Sequence, residues 1–297
     1  VGVLQYGTVK WELDVVKHHQ LDRRSGIDLR IVNFASKQAT MIALQADSVE
    51  VSVTDWIWVS RQRNAGRPFS FIPYSTVSGA LVVPADSSIS GIPDLRGKRL
   101  GIAGGPIDKS WLLLRALAQK QHGIDLNSEV SKVFGAPPLL SGQIEAGRLD
   151  AVINFWHYAA RLEARGMRRL LGIDNVARAL GVQTQVPIIG YVFSERWSDE
   201  QPTAVHGLLE ASRRAKQILL ESDSEWERLR PLIKPADDTE LHNLRDHFRA
   251  GIPRRWGDAE RADAARLFEI LGRVGGARLV GNTGTLAPGT FWEGARF

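Results

Sequence analysis

Two rounds of one alternation run through the first two thirds of the chain. In the first, GVLQYG (2–7), DLRIVNF (28–34), VEVSVTDW (49–56) and PFSFIPY (68–74) are short, apolar, β-prone runs. Stretches with apolar residues at helical spacing separate them, at about 11–22, 37–46 and 56–65. Strands alternating with helices pair in parallel through crossovers, which predicts a mostly parallel sheet covered by helices. The pattern then restarts with ALVV (80–83), KRLGIA (98–103), SKVFGA (131–136), DAVINFW (150–156), RRLLGI (168–173) and PIIGYVFS (187–194). Helices are expected here at 108–121 and 139–147, with a short one after 156. Residues 198–272 read as helical, and the Gly- and Thr-rich tail from Gly275 reads as irregular structure or an edge strand. The expected class is α/β, in two units.

The composition excludes several functions. At 297 residues the chain can bury two sizeable cores. Its richest apolar run, LLLRAL, is broken by Arg115, and nothing approaches the roughly 20 residues of a membrane span. The net charge of +5 comes from basic residues interleaved with acids, so no stripe for nucleic acid forms. Having no cysteine, the chain has no disulfide, thiolate metal site or cysteine nucleophile. It carries no G-x-S-x-G, no H-E-x-x-H and no helix-opening G-x-G-x-x-G, and His242 and His247 stand five apart, on different sides of a helix. No helix-turn-helix pattern occurs. The chain opens on VGVLQYG without an initiator Met or leader pattern, so a processed form is expected.

Three segments belong together. The crossing between the two rounds contains Pro93-Asp94-Leu95-Arg96-Gly97-Lys98-Arg99-Leu100-Gly101. Gln143-Ile144-Glu145-Ala146-Gly147-Arg148-Leu149-Asp150-Ala151 is a helix end turning into an acidic residue that opens a buried strand. Met41-Ile42-Ala43-Leu44-Gln45-Ala46-Asp47-Ser48-Val49-Glu50 repeats that turn in the first round. In this order the chain resembles periplasmic solute-binding proteins of ABC transporters of the nitrate/sulfonate/taurine (SsuA/THI5-like) type, well over about 1–195 and weakly over 196–297. The resemblance implies a bilobal periplasmic-binding-protein-like type II fold, two α/β lobes joined by a two-segment hinge. Lobe 1 would comprise 1–82 and a helical segment 193–297, and lobe 2 would comprise 83–192, with the hinge at Leu81–Pro84 and Gly190–Phe193. It also implies a small-molecule ligand held between lobes that close on it: a sulfonate, a nitrate-type anion, a taurine-like zwitterion or a pyrimidine-like heteroaromatic. Its partners would be a membrane ABC permease and its ATPase. The resemblance further implies a monomer without cofactor or metal, periplasmic or exported and membrane-anchored, and not an enzyme. The alternative is an enzyme on the same fold, of the pyrimidine-precursor type, whose cysteine-rich motif this chain lacks, or of the menaquinone-precursor type.

In parallel α/β sheets, ligands bind beyond the carboxyl ends of the strands. The candidate residues are therefore Thr8, Lys10 and Trp11; Ser36, Lys37 and Gln38; Thr54, Asp55 and Trp56; and Ser78 in lobe 1. Lobe 2 offers Gly105, Asp108, Lys109 and Ser110, then Asn154, Trp156 and His157. The turn GGPIDKS (104–110) is no phosphate loop, because Asp108 stands where the loop needs glycine before Lys-Ser. Asp108 either caps the following helix or faces the ligand with Lys109. Lys10 and Lys37 could grip an acid group, Asp55 a cation or hydroxyl, and one of the three tryptophans a ring.

Overall fold

The computed structural model describes residues 1–295. Its ten strands are β1 (Gly2–Leu4), β2 (Val32–Phe34), β3 (Val51–Asp55), β4 (Phe69–Ser75), β5 (Ala80–Val83), β6 (Arg99–Ala103), β7 (Ser131–Gly135), β8 (Ala151–Asn154), β9 (Arg168–Gly172) and β10 (Ile189–Ser194). They form two five-stranded sheets, ordered β2-β1-β3-β10-β4 and β7-β6-β8-β5-β9. In each, three parallel strands are followed by one antiparallel strand and a fifth. The two antiparallel strands, β5 and β10, hold equivalent places, so the two rounds of the sequence become two sheets of one topology.

The helices around them are α1 (Val9–His18), α2 (Leu21–Arg24), α3 (Lys37–Gln45), α4 (Trp56–Asn64), α5 (Lys109–His122), α6 (Leu126–Glu129), α7 (Pro137–Glu145) and α8 (Trp156–Ala164). Then come α9 (Ile173–Ala179), α10 (Glu195–Glu200), α11 (Pro202–Glu221), α12 (Asp223–Ile233), α13 (Asp238–Ala250), α14 (Asp258–Gly275) and α15 (Ala277–Val280). Side-chain caps set several starts: Ser36, Asp55, Asp108, Ser194, Ser222 and Asp237 each accept from a backbone N–H of the helix they open. The expected helix over 11–22 divides into α1 and α2 at Gln20, whose left-handed φ of 53° cannot continue a helix. The tail acts as an edge cover. Phe71 N–H donates to Thr290 O at 2.9 Å and Trp292 N–H donates to Phe71 O at 3.0 Å, which occupies the outer edge of β4.

The chain leaves the first sheet at Ser75 and enters the second at Ala80; it returns between Gly172 and Ile189. The crossings are therefore 76–79 and 173–188, not Leu81–Pro84 and Gly190–Phe193. The expected boundaries at 82/83 and 192/193 fall inside β5 and β10. The cause is pairing: each of these buried strands is hydrogen-bonded on both edges, so neither can serve as a swivel. C-terminal helices brace both crossings. Gly251 O at the end of α13 accepts from Thr76 N at 2.8 Å, and Asp263 Oδ2 on α14 accepts from Gln183 N at 2.8 Å and Thr184 N at 2.7 Å. At Gly79 the backbone runs so close to β8 that a Cβ would stand 2.3 Å from Asn154 O.

Candidate ligand-binding cleft

Residues that follow β1, β2 and β3 meet residues that follow β6 and β8 of the other sheet. The charged centre of this meeting is Asp55, at the end of β3 and almost fully buried. Its Oδ1 caps α4 through Trp58 N at 2.9 Å. Its Oδ2 accepts from Lys37 Nζ at 2.5 Å, within its own lobe, and from Lys109 Nζ at 2.7 Å, across the cleft. Burial pushes the Asp55 pKa up, but the ammonium groups of Lys109 and Lys37 outweigh it and hold the carboxyl far below the usual range. Asp108, one residue before Lys109, behaves oppositely. Burial lifts its carboxyl above the ordinary value, and the pull of Lys109 and of the capped Trp111 and Ser110 amides does not offset this. Lys109 is lowered, chiefly by burial, whereas for Lys37 the attraction of Asp55 outweighs burial and raises it. Two lysines and two aspartates thus balance one another at the lobe junction. The Gly104 and Gly105 φ angles of 91° and 105° turn the chain into this helix start.

Beside this cluster lies a cleft of about 550 Å³. Lobe 1 lines it with Gln5 to Gly7, Lys10, Trp11 and Pro231 to Lys234; lobe 2 lines it with residues of α7 and α8, among them Ser141, Glu145, His157, Tyr158, Arg161 and Arg165. Trp11 and Trp156 meet edge to face at 5.8 Å, and Trp226 and Phe248 complete an aromatic cluster behind the cleft. His157, 7% exposed, sits against this cluster with neither ring nitrogen hydrogen-bonded. Arg161 reaches across to lobe 1, pairing with buried Glu240 and donating to Ile233 O at 2.7 Å. Among the described residues no group of His, Asp or Glu is placed to hold a metal ion.

Of the candidates from the sequence, Lys10, Trp11 and His157 line the cleft, and Lys37, Asp55, Asp108 and Lys109 form the charged cluster beside it. Thr8 is the buried N-cap position of α1, without a side-chain cap bond, and Ser110 donates its N–H to Asp108. Gly105 shapes the turn and Gln38 is exposed. Thr54 is buried with its hydroxyl unpartnered, and Ser36 Oγ accepts from Ala39 N at 3.1 Å as the cap of α3. Trp156 packs behind the cleft, on Trp11, rather than lining it. Three positions are committed elsewhere. Trp56 is wholly buried, with its Nε1–H donated to Pro187 O at 2.9 Å. The Asn154 amide donates to Pro137 O and Ser141 Oγ while its Oδ1 accepts from Phe155 N, and Ser78 Oγ accepts from Asp174 N. Sequence reasoning missed Tyr6, Arg161, Arg165 and the end of α12. Arg161 was within reach, since it lies one helical turn after His157 on the same face. The α12 segment carried no local signal.

A family model described as NMT1/THI5 like matches residues 23–225. Solved structures of the same fold include the periplasmic aliphatic sulphonate binding protein SsuA from Escherichia coli, at 18% identity with a TM-score of 0.78, covering 100% of this chain and 92% of that one. The alkanesulfonate-binding protein SsuA from Xanthomonas axonopodis pv. citri, bound to MOPS, is similar at 19% identity and TM-score 0.72, covering 98% and 96%. The periplasmic nitrate-binding protein NrtA from Synechocystis PCC 6803 is similar at 14% and 0.59, covering 82% and 68%. No curated protein matches the sequence. The fold is accordingly the bilobal periplasmic-binding-protein type, and these neighbours are binding proteins for sulfonates or nitrate.

Proposed function

Because the chain belongs to the NMT1/THI5-like family, we propose that it is the extracytoplasmic receptor of an ABC importer, capturing a small organic ligand between two closing lobes. The observation that carries this reading is that Asp55 of one lobe and Lys109 of the other meet at 2.7 Å beside a cleft lined by both lobes. A ligand that touches both sides favours the closed form by its differential contacts. The lobes are then residues 1–75 with 189–295, and 80–172. The crossings 76–79 and 173–188 are the hinge. The ligand is a sulfonate, a taurine-like zwitterion or a heteroaromatic. The transporter partner is a membrane permease with its ATPase, and the chain works as a monomer outside the cytoplasm without chemical turnover. No helix of the described residues is long and apolar enough to cross a membrane.

A thermal-shift screen against sulfonates, nitrate, taurine and pyrimidines, with product analysis of each hit, tests this. Binding at a hundred times Kd stabilises by about 2.7 kcal/mol, which is a shift of several degrees. A ligand recovered unchanged agrees with a receptor; a ligand converted to product overturns it in favour of an enzyme.

A further inference from the structure

We propose, building on the receptor reading, that the ligand is an organic dianion rather than a monoanion, a zwitterion or a neutral ring. The charges on the cleft wall do not cancel. Lys10, Arg161, Arg165 and Lys234 line it, and Glu145 is the one carboxylate among the described lining residues. Glu145 pairs with Arg165, and Glu240, behind the wall, pairs with both arginines. Four cations against two carboxylates leave a surplus of two positive charges. The surplus belongs to Lys10 and Lys234, the first half-buried and the second exposed, so both are within reach of a ligand. Lys10 makes a 3.5 Å contact to Gln5 O, and among the described residues neither lysine has a carboxylate partner. The acids nearest them in sequence are committed elsewhere. Glu12 pairs with Lys216 and Asp14 with Arg228, Asp237 Oδ1 accepts from Glu240 N to cap α13, and Asp238 pairs with Arg230.

Lys234 stands where a side chain is conformationally costly. It closes α12 at a left-handed φ of 54°, a position that glycine takes without strain. Its carbonyl and that of Ile233 accept from Arg161 of the other lobe at 3.2 and 2.7 Å, which holds Lys234 at the seam between the lobes. The helix starts favour the same charge. α1, α7 and α8 each place first-turn residues on the cleft, and Thr8, Ala136 and Phe155 open them without a side-chain cap bond. At the balanced cluster beside the cleft, Ser36, Asp55 and Asp108 cap α3, α4 and α5. Helix starts attract negative charge, so the uncapped ones add to the pull of the two lysines. A monoanion neutralises half of the surplus and a zwitterion none of it. Two negative charges, on one group or on two, meet both lysines.

Isothermal titration with two matched pairs tests the idea. 4-Sulfobenzoate against toluene-4-sulfonate compares two acid groups with one. Phenyl phosphate against benzenesulfonate, at about pH 8, compares a doubly with a singly charged group of similar shape, because a phosphate ester loses its second proton at about pH 6. In the intact protein the dianion of at least one pair should bind about tenfold tighter or better, the worth of one charge-assisted hydrogen bond. The pair that shows the preference tells whether the lysines grip two groups or one. Raising the salt from about 0.05 to about 0.5 M should shrink the preference. Lys234→Gly removes the cation and suits the left-handed backbone, so the preference should fall to about threefold or less while Tm holds or rises. Lys10→Gln should bring the same fall, and Lys234→Arg should keep the preference. Equal or tighter binding of the monoanion in both pairs, or a preference untouched by Lys10→Gln and Lys234→Gly, overturns the proposal and leaves the receptor reading standing. A bound dianion converted to product overturns the receptor reading alone. If no member of either pair binds, both fall.

Discussion

Exchanging Asp55 and Asp108 for asparagine, one at a time, should move stability in opposite directions although the two carboxylates share the lysines at the lobe junction. Asp55 has a depressed folded pKa. It contributes stability above its unfolded pKa of about 3.9 and loses it only as pH falls through the far lower folded value. Asp108 has a raised folded pKa. Its ionised form is penalised in the fold, so the penalty sets in as pH rises past about 3.9 and is complete above the folded value. Removing one member of a buried pair costs about 3–5 kcal/mol. Lys37 is half exposed, with 48% of its side chain accessible, and can turn to water. The cost of Asp55→Asn is thus reduced to about 2–3 kcal/mol, a fall in Tm of roughly 5–10 °C for a chain of this size. Asp108→Asn keeps a good N-cap for Ser110 and Trp111 and removes the penalised charge. It should leave stability unchanged or raise it by about 1 kcal/mol or less, with Tm moving accordingly. Scanning calorimetry of the ligand-free variants near pH 7 and again near pH 4 reads both effects. The advantage of Asp108→Asn should fade at the lower pH, while the loss from Asp55→Asn persists. Because Lys109 belongs to the other lobe, Asp55→Asn should also enlarge the radius of gyration in X-ray scattering. Equal falls in Tm for the two variants, or a greater fall for Asp108→Asn, would refute the assignment of charges.

Three further outcomes follow from the lobe junction. Gly79→Ala forces a Cβ to within 2.3 Å of Asn154 O, a backbone atom that cannot step aside; a loss of about 1–3 kcal/mol in urea unfolding is expected, and wild-type stability would contradict the close approach. Asp263→Ala removes the acceptor of Gln183 N, Thr184 N and Thr184 Oγ1. Hydrogen exchange at 183–184 should quicken, with a stability loss of about 1–3 kcal/mol, and unchanged exchange would mean the brace is not needed. Glu240→Gln leaves Arg161 and Arg165 without the buried carboxylate that ties α8 to α13; a cost of about 2–4 kcal/mol and weaker ligand binding are expected, and loss of neither would show that this tie does not hold the lobes together.

What the sequence displayed and what it concealed divide along one physical line. Runs such as VEVSVTDW and ALVV announce strands because local composition decides strand formation, and their repetition in two rounds announced two sheets. Which sheet a strand joins depends on partners far away in sequence, so the boundaries expected from composition fall inside β5 and β10 rather than between the sheets. The site divides likewise. Turn residues after strands were legible, and Asp55, Lys109 and His157 were all named from position alone. That position does not say whether a side chain is free: Trp56 and Asn154 occupy equally good turns, yet one indole N–H is taken by Pro187 O and one amide by Pro137 O and Ser141 Oγ. Glu240 and Lys234, near one another after α12, were invisible because nothing local marks helices 70 residues onward as the wall of a cleft opening beside α8.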